Sequence, residues 1–137
     1  MEHHLTTYIT HDTLISALGF GTQENLEAIR SYHSGITLQT DKRIADTPLL
    51  AATLSQERVQ QQAEAIGVSG YPRMEQLFIL TINELIRQSG QTLEDKTCGL
   101  ILSTTKGNID LLARHTEHPD EAVFLWKMAE NIAGYFH

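Results

Sequence analysis

The chain has little cysteine, few basic residues and no long apolar run, and each shortage excludes a class of protein. Its single cysteine rules out an internal disulfide and fits a reducing compartment. The formal net charge of −7 argues against general binding of nucleic acid. The longest apolar run, near residues 77–80, is too short to span a bilayer, and residues 1–8 lack the features of a signal peptide. We therefore expect a cytoplasmic protein with no membrane or nucleic-acid partner.

The length of 137 residues suits one domain with a hydrophobic core, and its opening has an α/β pattern. Residues 5–10 are rich in threonine, tyrosine and isoleucine, which predicts a strand. A helix should follow over about residues 23–32, capped by Thr22 and ended by Gly35. Residues 36–39 then alternate in polarity as a short strand does.

The middle of the chain, residues 40–70, is predicted to be an insertion that covers another part of the fold. Pro48 forbids a regular helix across its first half. Ser55 can cap a helix that runs to about Ile66. That helix is mostly polar, so we expect it at the edge of the fold.

Two further helices are predicted, and the first is the strongest in the chain. It should cover about residues 72–89, because Pro72 suits a first turn and Gly90 suits the position just past a helix end. Its apolar residues extend over more than one face, which predicts burial between layers. The second should cover about residues 120–136, after Pro119.

The stretch from Cys98 to Asp110 joins a predicted buried strand to a polar loop. Leu100, Ile101 and Leu102 form a short apolar run that is typical of a strand covered on both faces. The loop over residues 103–108 ends it, at the edge of an α/β sheet where ligands usually bind. A layered α/β domain needs about four or more strands, and the pattern shows two clear ones and one short one. The missing strands would come from a second copy or from a longer chain.

The chemically active side chains give no strong motif. Cys98 opens an apolar strand with no recognisable base beside it, so we interpret it as a packing residue. His115 and His118 have the spacing of metal ligands, but a solvated helix start is the favoured explanation over a zinc site. Lys106 and Gly107 do not form a phosphate loop, since the required earlier glycine and following Ser or Thr are absent.

The order of these parts resembles the amino-terminal portion of beta-ketoacyl synthases, the condensing enzymes that use acyl carrier protein. The opening of that family follows the pattern V-x-I-T-G-x-G-x-x-S-P-L-G, and residues 8–19 read YITHDTLISALG. Its first helix closes in G-x-S-G-I, which Ser34 to Ile36 match in part. Residues 99–108 lie where the family has a strand and a G-T-G-x-G-G loop. Residues 124–136, which include Asn-Ile-Ala-Gly at 131–134, resemble the following helix of the family, which often carries an N-x-x-A-G pattern.

The chain also departs from the family. His11 and Asp12 replace glycines of the first loop, Ala17 replaces a proline, and residues 104–106 replace flexible glycines. The nucleophilic cysteine of the family and its two catalytic histidines would follow later than this sequence reaches, and Cys98 does not match the position of the nucleophile.

The resemblance implies an α/β class with a partial thiolase-like layered fold, in which helices pack on a mixed sheet that this chain supplies only in part. Residues 1–137 would be a single amino-terminal portion of that domain, with the helical insertion at about 40–70. The complete enzyme would condense an acyl thioester with malonyl-carrier protein, as a homodimer with acyl carrier protein as its partner. This chain alone is expected to be inactive, without cofactor, metal or catalytic residues. One loop is expected to wall the substrate pocket: Thr104, Thr105, Lys106, Gly107, Asn108 and Ile109.

Two alternatives remain open from the sequence. One is a small noncatalytic binding or assembly protein that completes its sheet by dimerising. The other is a noncatalytic relative of the condensing enzymes that serves as a scaffold or chain-length partner.

Overall fold

The computed structural model describes residues 6–93, 97–114 and 120–137. These residues form helices and two small antiparallel sheets, a mixture that is compatible with the predicted α/β class. The strands are β1 (Ile15–Ser16), β2 (Gly19–Phe20), β3 (Ile36–Gln39) and β4 (Leu49–Ala52). The α-helices are α1 (Thr22–Arg30), α2 (Gln56–Ala65), α3 (Arg73–Ser89) and α4 (Leu125–Tyr135). Short 3-10 helices cover Ile109–Arg114 and Glu121–Val123.

The opening of the chain is a tight hairpin that leads into α1. Strand β1 pairs with β2, and the buried side chain of Asn25 in α1 holds the turn together. Its amide nitrogen donates to the backbone oxygens of Gly19 at 3.0 Å and Gly21 at 2.8 Å. The predicted cap was placed one residue late, since Gly21 is the N-cap and the Thr22 hydroxyl instead donates to an Asp12 carboxylate oxygen at 2.6 Å. The predicted end was also misplaced, because α1 stops well before Gly35.

Two of the predicted strands are absent from the described residues. Residues 6–10 and 100–102 belong to neither a helix nor a sheet. Ile9 is 92% exposed and Ile101 is 96% exposed, whereas Leu102 is half-buried and packs against the hydrophobic core. A strand forms only with a hydrogen-bonded partner, and the part of the chain that the structure describes supplies no partner for either segment. The prediction of a buried strand over residues 100–102 is therefore wrong for this chain.

The third predicted strand, β3, is confirmed, and it pairs with a strand that the sequence analysis missed. Strand β4 lies within residues 40–70, antiparallel to β3, with Leu38 opposite Leu50. Both of these side chains are exposed, so this face of the hairpin is apolar and open to solvent. The insertion over residues 40–70 is therefore part strand and part helix.

The helices of the second half follow the predicted boundaries closely. The Ser55 hydroxyl accepts from the backbone N–H of Arg58 at 3.2 Å and so caps α2. Pro72 directly precedes α3, and Gly90 ends it with a left-handed backbone at φ 66°. The predicted last helix is divided, because Phe124 is extended and separates the 3-10 helix at Glu121–Val123 from α4.

The hydrophobic core lies where α2, α3 and α4 meet. Its fully buried residues are Ala63, Val68, Ile79, Met128 and Ile132. Helix α3 is the central element, as its apolar pattern predicted, and it packs against both α2 and α4. Two polar residues of α3, Glu75 and Gln76, are also buried.

Candidate functional site

The loop predicted to wall a pocket is a tight turn with a buried base. The Thr104 hydroxyl accepts hydrogen bonds from the backbone N–H groups of Lys106 at 3.3 Å and Gly107 at 3.0 Å. Gly107 has φ 54°, a left-handed conformation that favours glycine. Thr105, Lys106 and Ile109 are exposed, whereas Gly107 and Asn108 are buried. The turn therefore presents its polar tip to solvent and anchors itself through Asn108.

Asn108 is anchored by a buried carboxylate of α3. Its amide nitrogen donates to Oε1 of Glu75 at 2.8 Å and to the backbone oxygen of Ala122 at 2.8 Å. The amide nitrogen of Asn131, in α4, lies 3.4 and 3.3 Å from the two carboxylate oxygens of Glu75. One carboxylate thus joins the loop to two helices, and we call Glu75, Asn108 and Asn131 the carboxylate–amide cluster.

The charge of this cluster is poorly compensated. Glu75 has no solvent exposure, and none of the described residues makes an ion pair with it. Burial raises the pKa of Glu75 above its usual value, and nearby Asp120 adds to the rise. The hydrogen bonds from Asn108 and Asn131 and the charge of Lys127 oppose that rise and lower the pKa. Lys127 itself pairs with Glu130 at 2.8 Å.

One atom of the cluster is left without a partner. The side-chain oxygen of Asn108 is buried and accepts no hydrogen bond from any residue that the structure describes. Buried polar atoms are paired in the great majority of cases, and each exception calls for an explanation. The Asn108 oxygen is therefore the one acceptor of the cluster that is buried without a donor among the described residues.

Sequence reasoning missed this cluster, although it included Asn108 in the predicted loop. Asn108 and Asn131 lie 33 and 56 positions after Glu75 in the sequence, so no local pattern joins the three residues. A usable signal is present at Glu75, a charged residue next to the apolar stretch of a helix that was predicted to be buried.

A groove of about 420 Å³ lies beside the second half of α3. Its apolar wall includes Ile82, Leu85, Ile86 and Phe136, and Cys98, His11 and His137 are also among its lining residues. Cys98 is exposed, so the interpretation as a packing residue is wrong for this chain. Its sulfur lies 3.7 Å from the backbone oxygen of Thr92.

A second cavity of about 290 Å³ lies between the first hairpin and α3. Asn83, Glu84 and Arg87 are among its lining residues. The Glu84 carboxylate accepts from Arg87 and Gln88, and these bonds hold its pKa at about 2. Residues 104–109 line neither of these two cavities, and their role as a pocket wall stays a prediction.

The remaining candidate from the sequence is a metal site at two histidines. His115 and His118 lie outside the described residues. Within the described ranges, no group of three or more His, Cys, Asp or Glu side chains is placed to hold a metal ion. Among the same residues, no helix has the length and apolar character needed to cross a membrane.

Comparisons with protein-family models, with curated proteins and with solved structures find no match to this chain.

Proposed function

We propose that this chain is a structural portion of a condensing acyltransferase of the beta-ketoacyl synthase type, located in the cytoplasm. In the complete enzyme a cysteine thiolate would accept an acyl group from a carrier-protein thioester. Decarboxylation of malonyl-carrier protein would then supply the carbanion that attacks the acyl group. This chain would contribute structure around that centre, namely the segment over residues 40–70 near the acyl pocket and dimer face and the loop over residues 104–109 beside it, and none of these residues is assigned a catalytic role.

The observation that supports this proposal is a groove that lacks a sheet. Helices α3 and α4 present apolar side chains to the groove, and two segments outside any helix or sheet also line it, at Thr10–His11 and at residues 98–100. Within the described chain, residues 6–11 and 99–103 form no backbone hydrogen bond. A layered α/β fold covers such helices with paired strands. A groove with unpaired edges is what we expect if other residues supply the rest of the sheet, and this supports the proposal.

The proposal is tested by assaying the full-length product of the reading frame. With acyl-carrier protein and malonyl-carrier protein, we expect release of carbon dioxide and formation of a 3-oxoacyl-carrier protein, measured by mass spectrometry. The 137-residue chain alone should form no product. Absence of product from the full-length protein with carriers of several acyl lengths would contradict the proposal.

A variant tests whether the exposed segment is a strand of the complete fold. Ile101→Lys should abolish product formation, because a lysine would be buried between strands and layers. Gln61→Lys changes an exposed residue of α2 and serves as the matched control, with activity retained. Equal activity of both variants would argue against a covered strand at residues 100–102.

A second candidate function, a noncatalytic assembly protein, has its own supporting observation. Residues 97–105 contain no charged side chain, and Ile101 is 96% exposed. An apolar, uncharged edge is a template for pairing with another strand, and two copies can pair through one such segment around a two-fold axis. This candidate predicts a homodimer of the 137-residue chain by analytical ultracentrifugation, weakened by Ile101→Lys. A monomer at all concentrations would exclude it.

A further inference from the structure

The carboxylate–amide cluster fastens three elements together through one side chain. Glu75 lies in the first turn of α3, Asn108 in the turn at residues 104–108 and Asn131 in α4. Glu75 and Asn108 have no solvent exposure. The Asn108 amide nitrogen donates both to Oε1 of Glu75 and to the backbone oxygen of Ala122. The turn is therefore attached to α3 through a buried group that can gain or lose a proton.

The cluster satisfies Glu75 when that side chain is neutral. Oε1 of Glu75 accepts from Asn108 at 2.8 Å, and Oε2 lies 3.3 Å from the amide nitrogen of Asn131. The two ends of the Asn131 amide have nearly the same shape, so a protonated Oε2 can donate to the Asn131 oxygen once that amide turns over. The nitrogen then takes the place of an oxygen that is not among the buried unpaired atoms of the described residues.

An ionised Glu75 has no counter-ion in the described part of the chain. The two amides and the amino-terminal end of α3 favour its charge, whereas complete burial opposes it. Asp120 and Lys127 act on it in opposite directions, and Arg73, in the same turn of α3, is bonded to Gln56. The other charged side chains that the structure describes on the turn, the two 3-10 helices and α4 are exposed: Lys106, Asp110, Glu121 and Glu130. Loss of the proton therefore favours a state in which water reaches Glu75.

We propose that the carboxylate–amide cluster is a proton-controlled latch. A protonated Glu75 holds the turn at residues 104–108 on α3, and loss of the proton releases the turn and admits water to the carboxylate. The turn is the part that moves, because α3 and α4 are joined to each other through buried core residues such as Ile79 and Met128. The latch is independent of the proposed acyltransferase function.

The direction of the pH dependence follows from proton linkage. In the closed state, burial raises the pKa of Glu75 above its ordinary value of about 4.5. In the open state the side chain reaches water and its pKa returns toward that ordinary value. The opening equilibrium is therefore constant in acid, rises about tenfold for each pH unit between the two pKa values, and is constant again above the closed-state pKa. The latch is tightest in acid and loosest in alkaline solution.

Opening of the turn is measured by NMR amide hydrogen exchange of the 137-residue chain. Two amides report on it: that of Gly107, which donates to the Thr104 hydroxyl at 3.0 Å, and that of Leu111, which donates to the Asn108 carbonyl at 3.0 Å. After correction for the intrinsic pH dependence of exchange, their protection factors should fall as the pH rises from about 5 and then become constant. They should also stay below those of the α3 interior. Equal protection of the turn and of the α3 interior at every pH would overturn the proposal, since the turn would then open only when the whole chain unfolds.

Two variants assign the effect to Glu75. Glu75→Gln keeps the shape and cannot ionise, and its amide can accept from Asn108 and donate to Asn131 as the protonated acid does. The protection factors of its turn amides should therefore no longer depend on pH. Glu84→Gln removes a carboxylate from the same helix outside the cluster and should keep the wild-type profile. A fall with pH that persists in Glu75→Gln would overturn the proposal.

If Glu75→Gln does not fold, the ¹³C chemical shift of the Glu75 carboxyl group in the wild-type chain provides the assignment. The midpoint of its titration should lie above the ordinary value and coincide with the pH at which protection of the turn becomes constant. A midpoint at or below the ordinary value, or one that does not match the exchange profile, would overturn the latch.

Discussion

Replacing Asn108 by alanine removes the anchor of the loop and is the sharpest test of the cluster. The variant loses a hydrogen bond to a charged carboxylate, which contributes about 1.5–3 kcal/mol. It also leaves the backbone oxygen of Ala122 without the Asn108 amide, at a cost of about 1–3 kcal/mol. Since both groups are buried, we expect Asn108→Ala to lower the free energy of unfolding by about 3–5 kcal/mol. That corresponds to a fall in Tm of roughly 10–15 °C.

Asn83 of α3 offers a control with the same chemical change. The amide nitrogen of Asn83 is buried and has no hydrogen-bond partner among the described residues, so Asn83→Ala removes a polar group that they leave unsatisfied. We expect its effect on the free energy of unfolding to stay within about 1 kcal/mol. Urea denaturation followed by circular dichroism measures both variants. Equal losses in the two would refute the assignment of stability to the Asn108 hydrogen bonds.

The loss caused by Asn108→Ala should depend on pH. Burial raises the folded-state pKa of Glu75, so the stability contributed by this residue is full at low pH and falls as the pH rises through the folded pKa. The Asn108 hydrogen bond stabilises the ionised form, and its removal raises that pKa further. The deficit of the variant should therefore be larger at pH 8 than at pH 5. A deficit that does not vary with pH would contradict this electrostatic role.

Three other changes test separate features. Arg58 holds the pKa of Glu24 at about 2, so the stability from this half-exposed pair should be lost as the pH falls from about 4.5 to about 2. Glu24→Gln should cost about 0.5–1 kcal/mol in the free energy of unfolding at pH 7. It should also remove this part of the pH dependence of stability, as measured by urea denaturation. Gly107→Ala should lower Tm, since φ is 54° and the new methyl group would lie 2.7 Å from a leucine side chain of α4; the left-handed backbone alone costs about 1–2 kcal/mol. Ile101→Lys should leave the Tm of the monomeric chain unchanged, because the residue is 96% exposed.

Helix boundaries were predictable where the signal is local. Ser55, Pro72 and Gly90 act within one turn of the helix that each bounds, so their positions determine where α2 and α3 begin or end. Phe124 gave no such signal, and the break between the 3-10 helix and α4 was missed. Its backbone is extended, with φ −75° and ψ 136°, and the residue type does not announce that conformation.

Strands were predicted less well, because a strand depends on a partner far away in the chain. Residues 100–102 have the composition of a buried strand, but no described segment pairs with them. Leu49–Ala52 forms a strand only because β3 lies opposite. The same limit applies to the candidate site, since Glu75 and Asn131 are joined only after α3 and α4 have packed.

The hairpin of β3 and β4 has a consequence for how the chain unfolds. Its strands pack against each other, and neither makes an extensive contact with a helix. An isolated two-stranded hairpin is only marginally stable in water, so this hairpin can open while the helical core stays intact. Its amide protons should exchange with solvent long before those of α3, and a protease should cut the chain first between Gln39 and Leu49, leaving the core assembled.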